Sequence, residues 1–287
     1  MLVKDIRPRG FCKGVYLAIE KVKAVLNSND YPKPIYVLGY IVHNKHVVDE
    51  ITELGAITLD DHHQSRLSLI DQIDQGTIII SAHGTPLNVI EKIKQKGLTL
   101  VDATCQDVYV THHLIQSYLK QGYHVIYIGK KNHPETNASL SLGDHVVLVE
   151  TVEDVEKLNL EGNIFVTNQT TFSIKDIFNI HQALKSKYKD IVITEEICNA
   201  TRIRQNAIIQ ANQDVDLCYI VGDQRSNNSK NLVKISQEFT NTKTLLIQSV
   251  EDINANDLIG VKTVSVSSGA STPEHLTKAV IEYLKRL

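Results

Sequence analysis

The chain has 287 residues, 42% of them hydrophobic and 22% charged, the proportions of a globular protein able to bury a large core. Its formal net charge of −3 gives no general attraction to nucleic acid or to an anionic membrane, so an anionic ligand has to be held by a local site. No apolar run approaches a transmembrane span, the first residues lack the apolar core of a secretory signal, and four dispersed cysteines argue against a disulfide scaffold; a cytoplasmic protein with reduced thiols is expected.

Short β-rich runs alternate with helical patterns from end to end, which predicts an α/β protein. In chain order, strands are predicted over Ile35–Leu38, Thr77–Ser81, His124–Ile128, Ile164–Thr167, Leu217–Val221 and Thr263–Val266. Nearly every one runs into a polar loop: GYIVHN, SAHGT, GKKNHPET, TNQTTFS, GDQRSNNS and SSGAST. Ligands of open α/β sheets bind beyond the carboxyl ends of the strands, where such loops lie. Helical spacing follows three of the cysteines. The stripes are Val15, Ala18, Ile19, Val22, Val25 and Leu26 after Cys12; Val108, Thr111, Leu114, Ile115 and Tyr118 after Cys105; and a weaker Ile203, Ala207, Ile208 and Ala211 after Cys198.

Cys12, Cys105 and Cys198 are evenly spaced, 93 residues apart (105 − 12 and 198 − 105). The polar loops keep step with them. His43, His133 and Ser226 follow the respective cysteines at similar intervals, and His83, Thr170 and Ser271 follow later in the same order. The succession cysteine, helix, strand, polar loop, helix, strand, polar loop therefore occurs three times. The sequences of the thirds are not alike, so the repeat is one of architecture, with coincidental spacing in an ordinary α/β protein as the alternative. The expected architecture is three similar α/β lobes around a pseudo-threefold axis with a central metal cluster. The expected limits are 1–97 (Cys12, His43, His83), 98–193 (Cys105, His133, Glu135, Thr170) and 194–287 (Cys198, Ser226, Asn228, Ser271).

A lone cysteine usually fills core, and Cys218, inside the apolar strand LCYIVG, is read that way. The other three stand in polar settings, RGFCKG, DATCQD and EICNAT, at helix N-termini whose dipoles favour the thiolate that binds metal. Zinc usually recruits closely spaced cysteine pairs, and no C-x-x-C is present. Iron–sulfur clusters are held by thiolates, usually four, so three leave one iron without a protein ligand and able to act as a Lewis acid. Histidine donates from both ring nitrogens when charged, so His43, His83 and His133, with Ser226, Asn228 and Ser271, suit a diphosphate cage. Like charge beside such a ligand disfavours ionised Glu135, which fits it for general acid catalysis. Thr170 and Thr171 either orient that proton or cap the following helix. The alternatives are a thiolate-zinc hydrolase with Glu135 as base and a non-catalytic phosphate- or nucleotide-binding protein. The P-loop and Rossmann fingerprints that the latter leads one to look for are missing.

Nine segments in order resemble the 4-hydroxy-3-methylbut-2-enyl diphosphate reductase family across essentially the whole chain. They are PRGFCKGV (Pro8–Val15), VHN (Val42–Asn44), SAHG (Ser81–Gly84), DATC (Asp102–Cys105), HPE (His133–Glu135), QTT (Gln169–Thr171), ICNAT (Ile197–Thr201), SNNS (Ser226–Ser229) and GAS-x-P (Gly269–Pro273). The resemblance implies a [4Fe–4S] cluster on Cys12, Cys105 and Cys198 with one open iron. It implies diphosphate binding by His43, His83, His133, Ser226, Asn228 and Ser271, with Asn227 where many relatives carry serine. It implies proton delivery by Glu135 with Thr170 and Thr171 nearby, and a ferredoxin or flavodoxin as electron donor. The implied reaction is a two-electron reductive dehydroxylation of the allylic diphosphate to isopentenyl and dimethylallyl diphosphate, the last step of the non-mevalonate isoprenoid pathway. Gln106, Thr136, Asn137, Asp223 and Arg225 depart from the family pattern without removing a ligand or the acid.

Overall fold

The computed structural model describes residues 1–61, 63–194 and 198–287. His62, and Ile197 of the third cysteine motif, lie outside the described residues. Among those described are twelve strands in three four-stranded parallel sheets. The first sheet has the order β3 (Ala56–Leu59), β2 (Ile35–Leu38), β4 (Thr77–Ile80), β5 (Thr99–Asp102). The second has the order β7 (Val146–Val149), β6 (His124–Ile128), β8 (Ile164–Asn168), β9 (Ile191–Ile193). The third runs β11 (Lys243–Ile247), β10 (Leu217–Val221), β12 (Thr263–Ser268), β1 (Leu2–Asp5).

The three orders are the same, and the fourth strand of the third sheet is the first strand of the chain. That rule explains the cysteine spacing. Each cysteine follows a fourth strand and precedes a helix: Cys12 after β1 and before α1 (Lys13–Asn27), Cys105 after β5 and before α5 (Gln106–Lys120), Cys198 after β9 and before α9 (Asn199–Ala211). Sheet membership therefore departs from the expected limits at two points. Residues 2–5 belong with the C-terminal strands, and residues 99–102 belong with β2 to β4.

All six predicted strands are present, with ends shifted by at most two residues. The other six all lie at sheet edges, partly exposed and short, so their sequences carry less of the buried-strand signal; β1 and β9 have no fully buried residue, whereas β6, β8 and β10 are buried almost throughout. Most central strands are apolar on both faces because helices cover both, whereas β12, TVSVSS, buries serines on one of them. In the second sheet Ile126, Ile128, Ile164 and Val166 pack with Ile180 and Leu184 of α8 (Ile174–Lys187), while Val125, Tyr127 and Phe165 pack with Ile115 of α5 on the other face. The stripes of α1 and α5 are buried at Ala18, Ile19, Val22 and Val25 and at Val108, Thr111 and Ile115. The weaker stripe expected on α9 is buried in part: Ile208 is fully buried with Ala207 and Ala211 packed beside it, but Ile203 is exposed, and Thr201, Arg204 and Gln205 are buried as well. Polar groups occupy this face because the Arg204 guanidinium hydrogen-bonds the carbonyls of Gly10 and Ala200, each at 2.9 Å.

The described residues divide into two compact units. One contains Met1–Val15, His43–His46 and Cys198–Leu287, and the other Tyr16–Val42 and Val47–Ile197. No helix among the described residues is long and apolar enough to cross a membrane.

Candidate active site

In the larger unit, the loop after β6 ends at His133, the N-cap of α6 (Pro134–Leu140). Its Nδ1 accepts a 3.2 Å hydrogen bond from Glu135 N–H, which places the ring proton of a neutral imidazole on Nε2. A neutral His133 thus has one donor, where the charged ring suggested by the sequence has two. His83, after β4, meets it edge to face with ring centroids 5.2 Å apart. Gly84 beside it has φ +80°, and a Cβ there would lie 3.2 Å from His112 Cε1. His112 is partly exposed, but one end of its ring is enclosed. Its Nε2 is buried without a partner, and burial pushes its pKa down to about 4, the charge of Asp102 opposing and that of His113 adding.

Glu135 stands in the first turn of α6, 1% exposed. The loop after β8 reaches over it. Thr170 N–H lies 2.7 Å from Oε1, Thr170 Oγ1 2.9 Å from Oε2, and the Tyr127 O–H donates to Oε1 at 3.4 Å. Burial raises the carboxyl pKa to about 7. The bonds from Thr170 and Tyr127 pull it back, and the charge of Asp107 pushes it further up. The raised value therefore comes chiefly from desolvation, before any ligand adds like charge. Ser173, not Thr170 or Thr171, caps α8, accepting from Asp176 N–H. Gln169, fully buried, joins the two loops: its Oε1 accepts from Lys130 N–H at 2.8 Å and its Nε2 donates to Thr171 Oγ1 at 2.9 Å.

In the smaller unit, Ser226 caps α10 (Asn227–Thr240) by accepting from Ser229 N–H. Asn228 Oδ1 accepts from Ala270 N–H at 2.9 Å, fixing the amide so that Nδ2 is the remaining donor. The Nδ2 atoms of Asn227 and Asn228 are both buried without a partner. Ser271 Oγ donates to the His43 carbonyl at 3.0 Å, and Asp223 accepts from Lys45 N–H and Arg225 N–H, so the loop of His43 is bound to both others. Cβ atoms at Gly222 and Gly269 would lie 2.2 and 2.1 Å from Ser229 Oγ, so only glycine permits this close approach. Unpaired donors at a helix N-terminus are the equipment of an anion site.

None of the four cysteines is in a disulfide. Cys105 and Cys198 are the N-caps of α5 and α9, and Val15 N–H points at Cys12 Sγ from 3.5 Å. Asp102 steadies the Cys105 loop, accepting from Thr104 N–H and from the Tyr109 hydroxyl. The buried Arg204, whose positive charge burial disfavours, interacts favourably with Cys12 and Cys198. Soft thiol donors at helix N-termini beside a buried cation fit an anionic thiolate-held cluster. Cys12 and Cys198 belong to one unit and Cys105 to the other, and among the described residues no three His, Cys, Asp or Glu side chains form a ready metal site. Cys218 is fully buried in an apolar cluster with Ile6, Ile208, Ile220 and Leu232, as expected of a core residue, and on one side Asn212, Ser236, Thr244 and Ser265 hydrogen-bond one another beside it.

Residues 3–285 match the family model described as LytB protein. A relative from Symbiobacterium thermophilum, named 4-hydroxy-3-methylbut-2-enyl diphosphate reductase, is 47% identical over 100% of this chain and 97% of its own length. One of the same name from Geobacillus sp. (strain WCH70) is 45% identical over 100% and 91%. The solved E-1-hydroxy-2-methyl-but-2-enyl-4-diphosphate reductase from Plasmodium falciparum superposes with a TM-score of 0.91 at 37% identity, covering 100% of this chain and 87% of that one. A matching family model across nearly the whole length, curated relatives of one name and a solved structure of the same architecture agree: the chain belongs to the LytB family of 4-hydroxy-3-methylbut-2-enyl diphosphate reductases.

Proposed function

We propose that the protein reduces 4-hydroxy-3-methylbut-2-enyl diphosphate to isopentenyl and dimethylallyl diphosphate, consuming two electrons and two protons and releasing water. The observation that carries this reading is the buried Glu135 carboxyl, held on both oxygens and with a pKa near 7. A group of that pKa holds its proton in about half the molecules at neutral pH and gives it up readily. Delivered to the substrate's hydroxyl, the proton lets the leaving group depart as water. Thr170 fixes the carboxyl, and Thr171, tied to Gln169, supports the same loop.

The diphosphate is assigned to Ser226, Asn227, Asn228 and Ser271 with His43, His83 and His133. The two unpaired amide groups at the start of α10 support that assignment, since an anion there gains donors that otherwise stay unsatisfied. Binding energy from the diphosphate positions the reacting end of the substrate. Cys12, Cys105 and Cys198 are assigned as the ligands of a [4Fe–4S] cluster, which when bound supplies the electrons and one Lewis-acidic iron position. A ferredoxin or flavodoxin delivers those electrons.

An anaerobic assay of purified protein with the hydroxymethylbutenyl diphosphate and a reduced one-electron donor tests the reading, with formation of both five-carbon diphosphates expected. Cys105→Ser should lose most of its iron and sulfide. Colourless wild-type protein with stoichiometric zinc and no reduction would overturn the assignment.

A further inference from the structure

We propose that Tyr127 is a positioning residue for the acid: its hydroxyl holds Oε1 of Glu135 as the carbonyl oxygen, so that the acidic proton sits on Oε2, facing Thr170. The inference rests on the reading of Glu135 as proton donor. It begins with a count of donors. Oε1 receives two, Thr170 N–H at 2.7 Å and the Tyr127 O–H at 3.4 Å, whereas Oε2 faces Thr170 Oγ1 at 2.9 Å. A protonated carboxyl has one carbonyl oxygen and one hydroxyl oxygen, and the oxygen that accepts from two donors is the carbonyl. The hydroxyl oxygen can then donate to Thr170 Oγ1. Without the phenol, Oε1 keeps one donor and the preference between the two oxygens weakens.

The surroundings make the phenol a dependable donor. Tyr127 is fully buried in β6, its ring among Ile115, Val125 and Phe165. A buried hydroxyl needs an acceptor, and a carboxyl is a stronger one than the hydroxyls of Thr136 and Ser139 that lie beside it. Burial, and then the Glu135 charge, raise the phenol's pKa well above its ordinary value, so it keeps its proton throughout the working range. Gly129, two residues further along, leaves the space this requires. A Cβ there would lie 2.7 Å from Tyr127 Cε1 and 2.8 Å from Thr136 Oγ1. Glycine is needed at this position for room, since its φ is not positive. The groups that face Glu135 are thus Tyr127 from β6, Thr170 from the loop after β8, Asp107 from α5 and, on its own helix, His133, whose Nδ1 binds the Glu135 amide.

The test is infrared spectroscopy of the cluster-loaded protein across pH, with pH–rate profiles of the same samples. The protonated-carboxyl stretch of Glu135 is assigned by its loss in Glu135→Gln. Tyr127→Phe removes one hydrogen bond from the carbonyl oxygen, so the band should move to higher wavenumber. It should also persist to higher pH, by about half a unit or more, because a donor to the carboxylate has gone. The alkaline fall in kcat should move upward with it. Site-specific 3-fluorotyrosine at position 127, a stronger donor of the same shape, should move the band the opposite way, and it remains readable if the phenylalanine variant folds poorly. A band unmoved in both variants, with Glu135→Gln inactive, would overturn the Tyr127 assignment alone. Undiminished turnover in Glu135→Gln would remove the acid reading, and with it any catalytic role for Tyr127, even if the band moved.

Discussion

The loops around Glu135 and those around Asn228 lie at equivalent strand ends, yet they are finished differently. At Glu135 both carboxyl oxygens are engaged, and the joining residue Gln169 is engaged at both ends of its amide. At Asn228 one end of the amide is anchored to Ala270 while the other, like that of Asn227, is buried with no partner. On the proposed reading Glu135 has to be oriented before substrate arrives, and both of its own oxygens are engaged within the fold. A binding group has to keep donors in reserve for a ligand that the chain does not contain. Buried orphan donors cost stability, about 1–3 kcal/mol each, and an anionic ligand recovers that cost. Orphans at Asn227 and Asn228 and none on Glu135 fit the proposed division between binding and proton transfer.

The largest test of this contrast is Glu135→Gln, which keeps the shape and removes the proton. Turnover should fall by roughly 10²–10⁴-fold while substrate affinity, measured by calorimetry, changes little. A parallel loss of affinity would break the contrast. Next in size, Asn228→Asp keeps the oxygen that binds Ala270 but turns the reserve donor into an anion. KM should rise roughly 10–100-fold with a smaller change in kcat.

A third prediction concerns stability. Glu135 has a folded-state pKa of about 7 against an ordinary 4.5. Below the ordinary value the group is protonated in both states. Between the two values only the folded state keeps the proton, so the group's contribution to stability falls as pH rises and levels off above about 7. Glu135→Gln removes that slope. Relative to wild type it should gain about 1–3 kcal/mol between about pH 5 and pH 8 in urea unfolding midpoints. An unchanged difference would mean that the carboxyl is not buried in solution. The smallest effect is expected outside both regions. Cys218→Ser should change stability by less than about 1 kcal/mol and leave iron content intact, because the hydroxyl meets Asn212, Ser236, Thr244 and Ser265 already hydrogen-bonded around the site.

Which polar side chains stand at each strand end can be read from the sequence alone. The cysteines, histidines, Glu135 and the serine and asparagine loops announce themselves because each motif is local, with turn residues and polar side chains within a few positions of one another. Most central strands are equally legible, because their apolar runs reflect burial on two faces. What depends on residues far apart in the chain is fixed by the fold. The pairing of β1 with β12 turns an N-terminal strand into the fourth strand of the last sheet. Arg204 is drawn to the Gly10 carbonyl across 194 residues, which made a polar face of a helix that looked weakly apolar. Thr170 is placed on Glu135 across 35 residues. Tyr127, only eight residues before that carboxyl, reads in sequence as one more core residue of a strand. Its ring does pack in the core, but where its hydroxyl points depends on the helix folding back over the sheet and on the room left by Gly129. Strand alternation determines which face a side chain takes, and packing alone determines what it touches there.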